Sequence, residues 1–235
     1  NPRMDLAWRN LGWYNWLYTK NYDEAAECYA KAVGLAPEKA LYLEEQEHVL
    51  EAKGESVEKR YEILKSHHKT TVKRYYPLAQ EVVTGTFIGE YDYVLDLLEN
   101  CYFPTREGVA SFHEVYVDAL LCAGYEKALA GDYKGAVALY EKSFDYPVNH
   151  QVFLVDERSP RDAQAYYFIG EAYDKMGQKS KAKSYYRKAA EVDTKLSFCR
   201  YWKGLALRKL GNNEAAKALF EALVAEGKAA VVEDI

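Results

Sequence analysis

A glycine recurs along this chain in a fixed setting, and its period constrains the fold more than any other feature. Gly54-Glu55-Ser56, Gly89-Glu90-Tyr91, Gly131-Asp132-Tyr133, Gly177-Gln178-Lys179 and Gly211-Asn212-Asn213 each lead into an amphipathic run. Lys20-Asn21-Tyr22 has the same surroundings without the glycine. The fifth residue after each opening position is Ala25, Lys59, Val94, Ala136, Ala182 or Ala216, at steps of 34, 35, 42, 46 and 34 residues. The chain is thus written in one 34-residue period, with about 8 and 12 extra residues at two junctions. Periods of this length belong to architectures in which each unit buries its apolar face on the next.

Within each unit the apolar spacing is helical rather than alternating. Tyr166, Ile169, Gly170 and Tyr173 fall on one face, Gly177 interrupts, and Ala182, Tyr186 and Ala189 lie on the face of a second helix. Glycine supplies the positive φ of a tight turn between helices. A small residue at Ala182 lets two backbones approach while rings fill the remaining space. That accounts for 22 tyrosines in 235 residues as packing groups rather than a cofactor box.

The unit resembles the tetratricopeptide repeat, whose pattern is W-x2-L-G-x2-Y…A-x3-F…A…P. The first copy is Trp8-x-x-Leu11-Gly12, then Ala25-x-x-x-Tyr29-x-x-Ala32-x-x-x-x-Pro37, with one extra residue before Ala25 and Asn15 where tyrosine is usual. The best matches are Ile169-Gly170-x-x-Tyr173…Ala182…Tyr186…Ala189 and Gly204-x-x-Leu207…Ala216…Phe220. The second and third copies, with Lys59 and Val94 at the small position, depart most. The resemblance implies an all-α fold, a right-handed superhelical solenoid of about six antiparallel helix pairs spanning residues 1–235 as one array. Its approximate repeats are 5–39, 40–71, 72–106, 112–148, 162–195 and 196–229, with inserts at about 103–111 and 146–162.

A second resemblance is carried by Trp8-Arg9-Asn10-Leu11-Gly12, Phe103-Pro104…Glu107-Gly108 and Tyr146-Pro147-Val148-Asn149. This order is similar to that in large bacterial proteins where a mutarotase-like β-sandwich of unknown function precedes a tetratricopeptide portion. Phe103-Pro104-Thr105-Arg106 departs from the aromatic, glycine-rich form expected there. The likeness implies a piece of a longer protein with links to carbohydrate metabolism. The opening Asn1-Pro2-Arg3-Met4-Asp5, without an initiator methionine or a basic-then-apolar leader, also reads as part of something longer.

Composition narrows the function. A net charge of -5 offers no cationic excess to neutralise phosphates, so nucleic acid is not an expected partner. No charge-free apolar run reaches the roughly 18 residues of a membrane span. Cys28, Cys101, Cys122 and Cys199 form no C-x-x-C pair and read as small buried thiols, in keeping with a cytoplasmic setting. No H-E-x-x-H, G-x-S-x-G, G-x-G-x-x-G or Walker motif occurs, so neither catalysis nor a cofactor is expected. Glu45-x-x-His48 has the spacing of half a di-iron site but lacks its second half. His67-His68 reads as a solvated pair. The run Lys59-Arg60…Lys65…Lys69…Lys73-Arg74, preceded by Glu44, Glu45, Glu47 and Glu51, reads as solvent-exposed faces of opposite sign.

In the family that the chain resembles, the first helix of each pair lines a concave groove. Carried over, the groove positions are Arg9, Trp13, Trp16 and Leu17; then Leu121, Tyr125, Ala128 and Leu129; then Tyr167, Glu171, Asp174 and Lys175; then Tyr201, Leu205, Arg208 and Lys209. The expected function is a non-catalytic scaffold that binds a protein or peptide segment, or an upstream domain of its own chain. The alternatives are the accessory helical part of a carbohydrate-active bacterial protein, packed on its β-sandwich, and a self-association module. The inserts are expected either to face a partner or to plug a stacking gap through Val152-Phe153-Leu154-Val155.

Overall fold

Each of the five recurring glycines ends a helix in left-handed backbone, at φ between 73° and 86°. Lys20, which stands in for glycine in the first unit, is held in the same region at φ 56°. The turn closes by a backbone bond across it: the Gln178 and Asn212 N–H groups donate to the Tyr173 and Leu207 carbonyls, both at 2.9 Å. Asn21, Ser56 and Asp132 then cap the next helix by accepting from the N–H of Glu24, Lys59 and Gly135.

The structure, a computed structural model, describes residues 4–104, 112–152, 159–195 and 197–233, the last with side chains to residue 230. All regular structure among these residues is helical. The inter-residue contacts divide the chain into two units, Asn1–Pro104 and Thr105–Ile235. The first holds α1 (Asp5–Tyr14), α2 (Tyr22–Leu35), α3 (Ala40–Lys53), α4 (Val57–Ser66), a single turn α5 (His68–Thr71), α6 (Tyr75–Phe87) and α7 (Tyr91–Asn100). The second holds α8 (Phe112–Leu129), α9 (Tyr133–Lys142), α10 (Asp162–Lys175), α11 (Lys179–Glu191), α12 (Arg200–Lys209) and α13 (Asn213–Glu233). In the second unit each helix packs on the next, and the first helices α8, α10 and α12 also touch in turn.

The closest approach within a pair is set by glycine against a ring. Gly12, Gly124, Gly170 and Gly204 lie under Tyr29, Tyr140, Tyr186 and Phe220, where an added Cβ would come to 2.9, 2.4, 2.6 and 2.5 Å from ring carbons. Beside them Ala25, Ala136, Ala182 and Ala216 are at most 1% exposed. The extra residue before Ala25 is absorbed by a π-type turn at Asn15–Thr19. There the closing bond, from Asn21 N–H to the Asn15 carbonyl at 3.0 Å, spans one residue more than in the later units.

The second pair corrects two sequence expectations. Ser56, not Glu55, caps α4, so one extra residue follows Gly54 and the register moves on by one. Arg60 rather than Lys59 therefore holds the position of the small residue, and Lys59 is exposed. Glu47 holds the position of glycine and is 1% exposed. Its carboxylate accepts from Arg60 Nε at 2.8 Å, so a buried ion pair occupies the space that Gly and Ala leave empty elsewhere. The basic run is thus not wholly a solvated face. In the third pair Val82 holds the position of glycine and is fully buried, and the close approach is made by Gly85, where an added Cβ would come to 2.7 Å from Val94.

The first insert begins with the fully buried Phe103, and its residues 105–111 lie outside the described region. In the second insert, Tyr146 stacks on His113 of α8 at 4.2 Å and His150 is 1% exposed. This part of the insert packs on the helix pair. Phe153, Leu154 and Val155, expected to plug a gap, lie outside the described region.

Candidate interaction surface

In the first unit the first-helix side chains are largely committed to one another. Arg9 donates to Glu45 of α3 through Nε at 2.7 Å. Trp16 stacks on His48 at 5.8 Å, and His48 stacks on Tyr76 of α6 at 4.0 Å. Glu45 and His48 therefore have structural partners. Among the described residues no group of three His, Cys, Asp or Glu is placed to hold a metal. Trp13 and Leu17 stay open, with the Trp13 ring edge-on to Tyr18 at 5.5 Å.

His67 and His68 part company, as helical geometry requires, but His68 is not a purely solvated group. Its Nδ1 lies 3.1 Å from the carboxylate of Glu81, which is fully buried on α6. The hydroxyls of Thr71 and Tyr93 also donate to Glu81, each at 2.6 Å. Glu81 is thirteen residues from His68, and no sequence spacing announces the contact.

The second unit carries the more open face. Tyr125 on α8 and Tyr201 on α12 are 52% and 48% exposed, and Leu129 is exposed further along α8. Between the two tyrosines lies a floor of rings. Tyr167 packs against Trp202 at 5.7 Å, and Phe168 meets Trp202 edge-on at 4.8 Å and Tyr125 at 6.3 Å. Burial and Glu171 together push the Tyr167 phenol up to about 12, so it stays protonated as a donor. Leu121 faces the other way: it is 3% exposed and packs in the core with Val137, Ile169 and Ala172, so it offers no surface to a partner.

The charges on this face are partly spent. Glu171 accepts from the Tyr186 hydroxyl and pairs with Lys209 at 2.5 Å. Asp174 pairs with Lys179 at 2.8 Å, and that bond holds its carboxyl below the usual range. Lys175 and Arg208 make no ion pair among the described residues and remain as cations. Sequence reasoning missed Trp202 and Phe168, although they stand 34 residues apart at one repeat position. Recurrence of aromatics at a position outside the consensus was the available signal.

Comparison with known proteins bears on the fold. The tetratricopeptide repeat model matches residues 7–46, 163–195 and 199–225. A solved tetratricopeptide repeat protein from Parabacteroides merdae ATCC 43184 has TM-score 0.50 at 16% identity, over 91% of this chain and 76% of that one. The solved MamA protein has TM-score 0.47 at 20% identity, over 80% of this chain and 90% of that one. PilF of Pseudomonas aeruginosa has TM-score 0.45 at 14% identity, over 93% of this chain and 90% of that one. No described helix is long and apolar enough to cross a membrane.

Proposed function

We propose that the tetratricopeptide repeats form a non-catalytic scaffold and that the first-helix face of the second unit binds a protein segment. The observation that carries this is the pair of half-exposed tyrosines, Tyr125 and Tyr201, flanking the ring floor of Tyr167, Phe168 and Trp202, with Arg208 near Tyr167 and Lys175 further along α10. Aromatic and arginine side chains on a pre-packed floor anchor interfaces because they bury much area and lose little freedom. In a segment laid here, apolar side chains would cover the rings and carboxylates would meet the two cations. In the first unit, taken by itself, Trp13 and Leu17 are the carried-over positions left open, since Arg9 and Trp16 are already engaged.

The test is to select peptides on the wild-type chain from a displayed library and titrate one by calorimetry. Tyr125→Glu with Tyr201→Glu is expected to weaken it at least about tenfold, the effect of losing ~1.4 kcal/mol. An unchanged Kd means the face is not the site.

A narrower reading makes this chain the helical part of a larger carbohydrate-active protein. It is supported by the sequence runs at Trp8–Gly12, Phe103–Pro104 and Tyr146–Asn149 alone. In the fold Phe103 is buried and Tyr146 stacks on His113, so these runs also have packing duties. Blotting native extract with antibody to this chain tests it: a polypeptide several times larger is expected, and one of this chain's own size ends the reading.

A further inference from the structure

The furrow between α10 and α12 has rings toward one end and unpaired cations toward the other. We infer that it reads an extended segment in which an aromatic or large aliphatic side chain covers the rings and a carboxylate three residues away meets the cations. This rests on the proposal that the first-helix face of the second unit binds a protein segment, and it gives that segment a pattern.

The distances come from the helices themselves. α10 and α12 pack side by side, and each is followed by a turn that reverses the chain, so the two run the same way. Tyr167 and Tyr201 stand 34 residues apart at one repeat position. Trp202 joins them, its ring 5.7 Å from that of Tyr167 and 5.2 Å from that of Tyr201. Lys175 is eight residues past Tyr167 and Arg208 is seven past Tyr201. At 1.5 Å per residue both cations lie about 10 to 12 Å further along the furrow. The Arg208 side chain reaches back far enough for its charge to act on the Tyr167 phenol.

The charge is uneven as well. Glu171 is paired with Lys209 and Asp174 with Lys179, so the acids along α10 are already balanced. Lys175 and Arg208 are exposed and make no ion pair among the described residues. On α8 the position of Lys175 is taken by Leu129, which concentrates the free positive charge between α10 and α12.

These features select the shape of the ligand. Tyr167 is 9% exposed and forms the bottom of the furrow. A helix about 10 Å across would ride above it, whereas an extended chain can lower one side chain onto it. In a polyproline-like strand, side chains three residues apart share a face at a separation of about 9 Å. That matches the step from rings to cations once the long Lys and Arg stems lean back. An acid one residue away would sit over Leu205 instead, with no cation to meet it.

A displayed peptide library selected on the whole chain, followed by calorimetry on one isolate, tests this. Isolates are expected to carry Asp or Glu three residues from an aromatic or large aliphatic residue, in either chain direction. Moving that acid by two positions is expected to weaken binding about tenfold. Lys175→Gln together with Arg208→Gln is expected to weaken the original peptide as much, with unchanged circular dichroism, and to abolish the penalty for moving the acid. Isolates without an acid at that spacing overturn the inference, and so does an acid that can be moved without loss. The groove reading fails separately, when Tyr125→Glu with Tyr201→Glu leaves Kd unchanged. A library that yields no binder overturns both.

Discussion

His113 places an imidazole where charge is disfavoured. It is 4% exposed, stacked on Tyr146, with His150 and Arg161 nearby. Burial first, and then those two neighbours, lowers its pKa from 6.5 to about 4. In the unfolded chain the ring titrates near its ordinary value, so between the two values the unfolded state binds more protons. Stability is therefore unaffected above about pH 6.5, falls as pH drops below it, and levels off near pH 4 after a loss of ~3 kcal/mol. Denaturant midpoints of wild type and His113→Phe between pH 7 and pH 5 check this. The wild type is expected to lose ~2 kcal/mol more than the variant over that span. Parallel pH dependences would show that the ring is not held neutral.

At the scale of the helix pair, the contact that matters is the one between Gly and Ala positions. Four pairs place a ring on a glycine there, the third sets Gly85 against Val94, and the second uses Glu47 with Arg60. Burial raises the Glu47 carboxyl even as Arg60 acts against the shift. An ion pair in such a site adds little net stability, yet breaking it strands a charge. Arg60→Met is expected to cost about 3–5 kcal/mol, whereas Glu47→Leu together with Arg60→Met recovers most of that loss. Urea unfolding of the two variants measures the difference. A double variant no better than the single one would mean that the pair is needed for more than charge balance.

For the whole molecule, the repeat design predicts that damage stays local. Within each unit the helix pairs contact their sequence neighbours, so coupling falls off pair by pair. Gly170→Ala drives a methyl group into the Tyr186 ring and is expected to cost ~2 kcal/mol by overpacking. Hydrogen exchange is expected to quicken in α9 to α12 and to stay unchanged in α2 and α3. A uniform rise across the chain would mean that the array opens as one cooperative body.

The sequence by itself determined what depends on neighbours along the chain. The 34-residue period, the left-handed turn after the first helix of a pair and the aromatic placed sixteen or seventeen residues past its glycine are local or nearly local requirements. They can be read from residue types because only glycine meets the turn and the close approach without strain. Tertiary structure decided what depends on competition between distant groups. Arg60 is buried because Glu47, thirteen residues back on α3, meets its guanidinium when α3 and α4 pack together. His68 meets Glu81 only because α5 and α6 pack together. Leu121 and Tyr125 are one turn apart on α8, yet one is sealed by α9 and α10 and the other is left open. Exposure belongs to whatever packs on a helix as much as to the helix itself, and the sequence of one helix does not contain that neighbour.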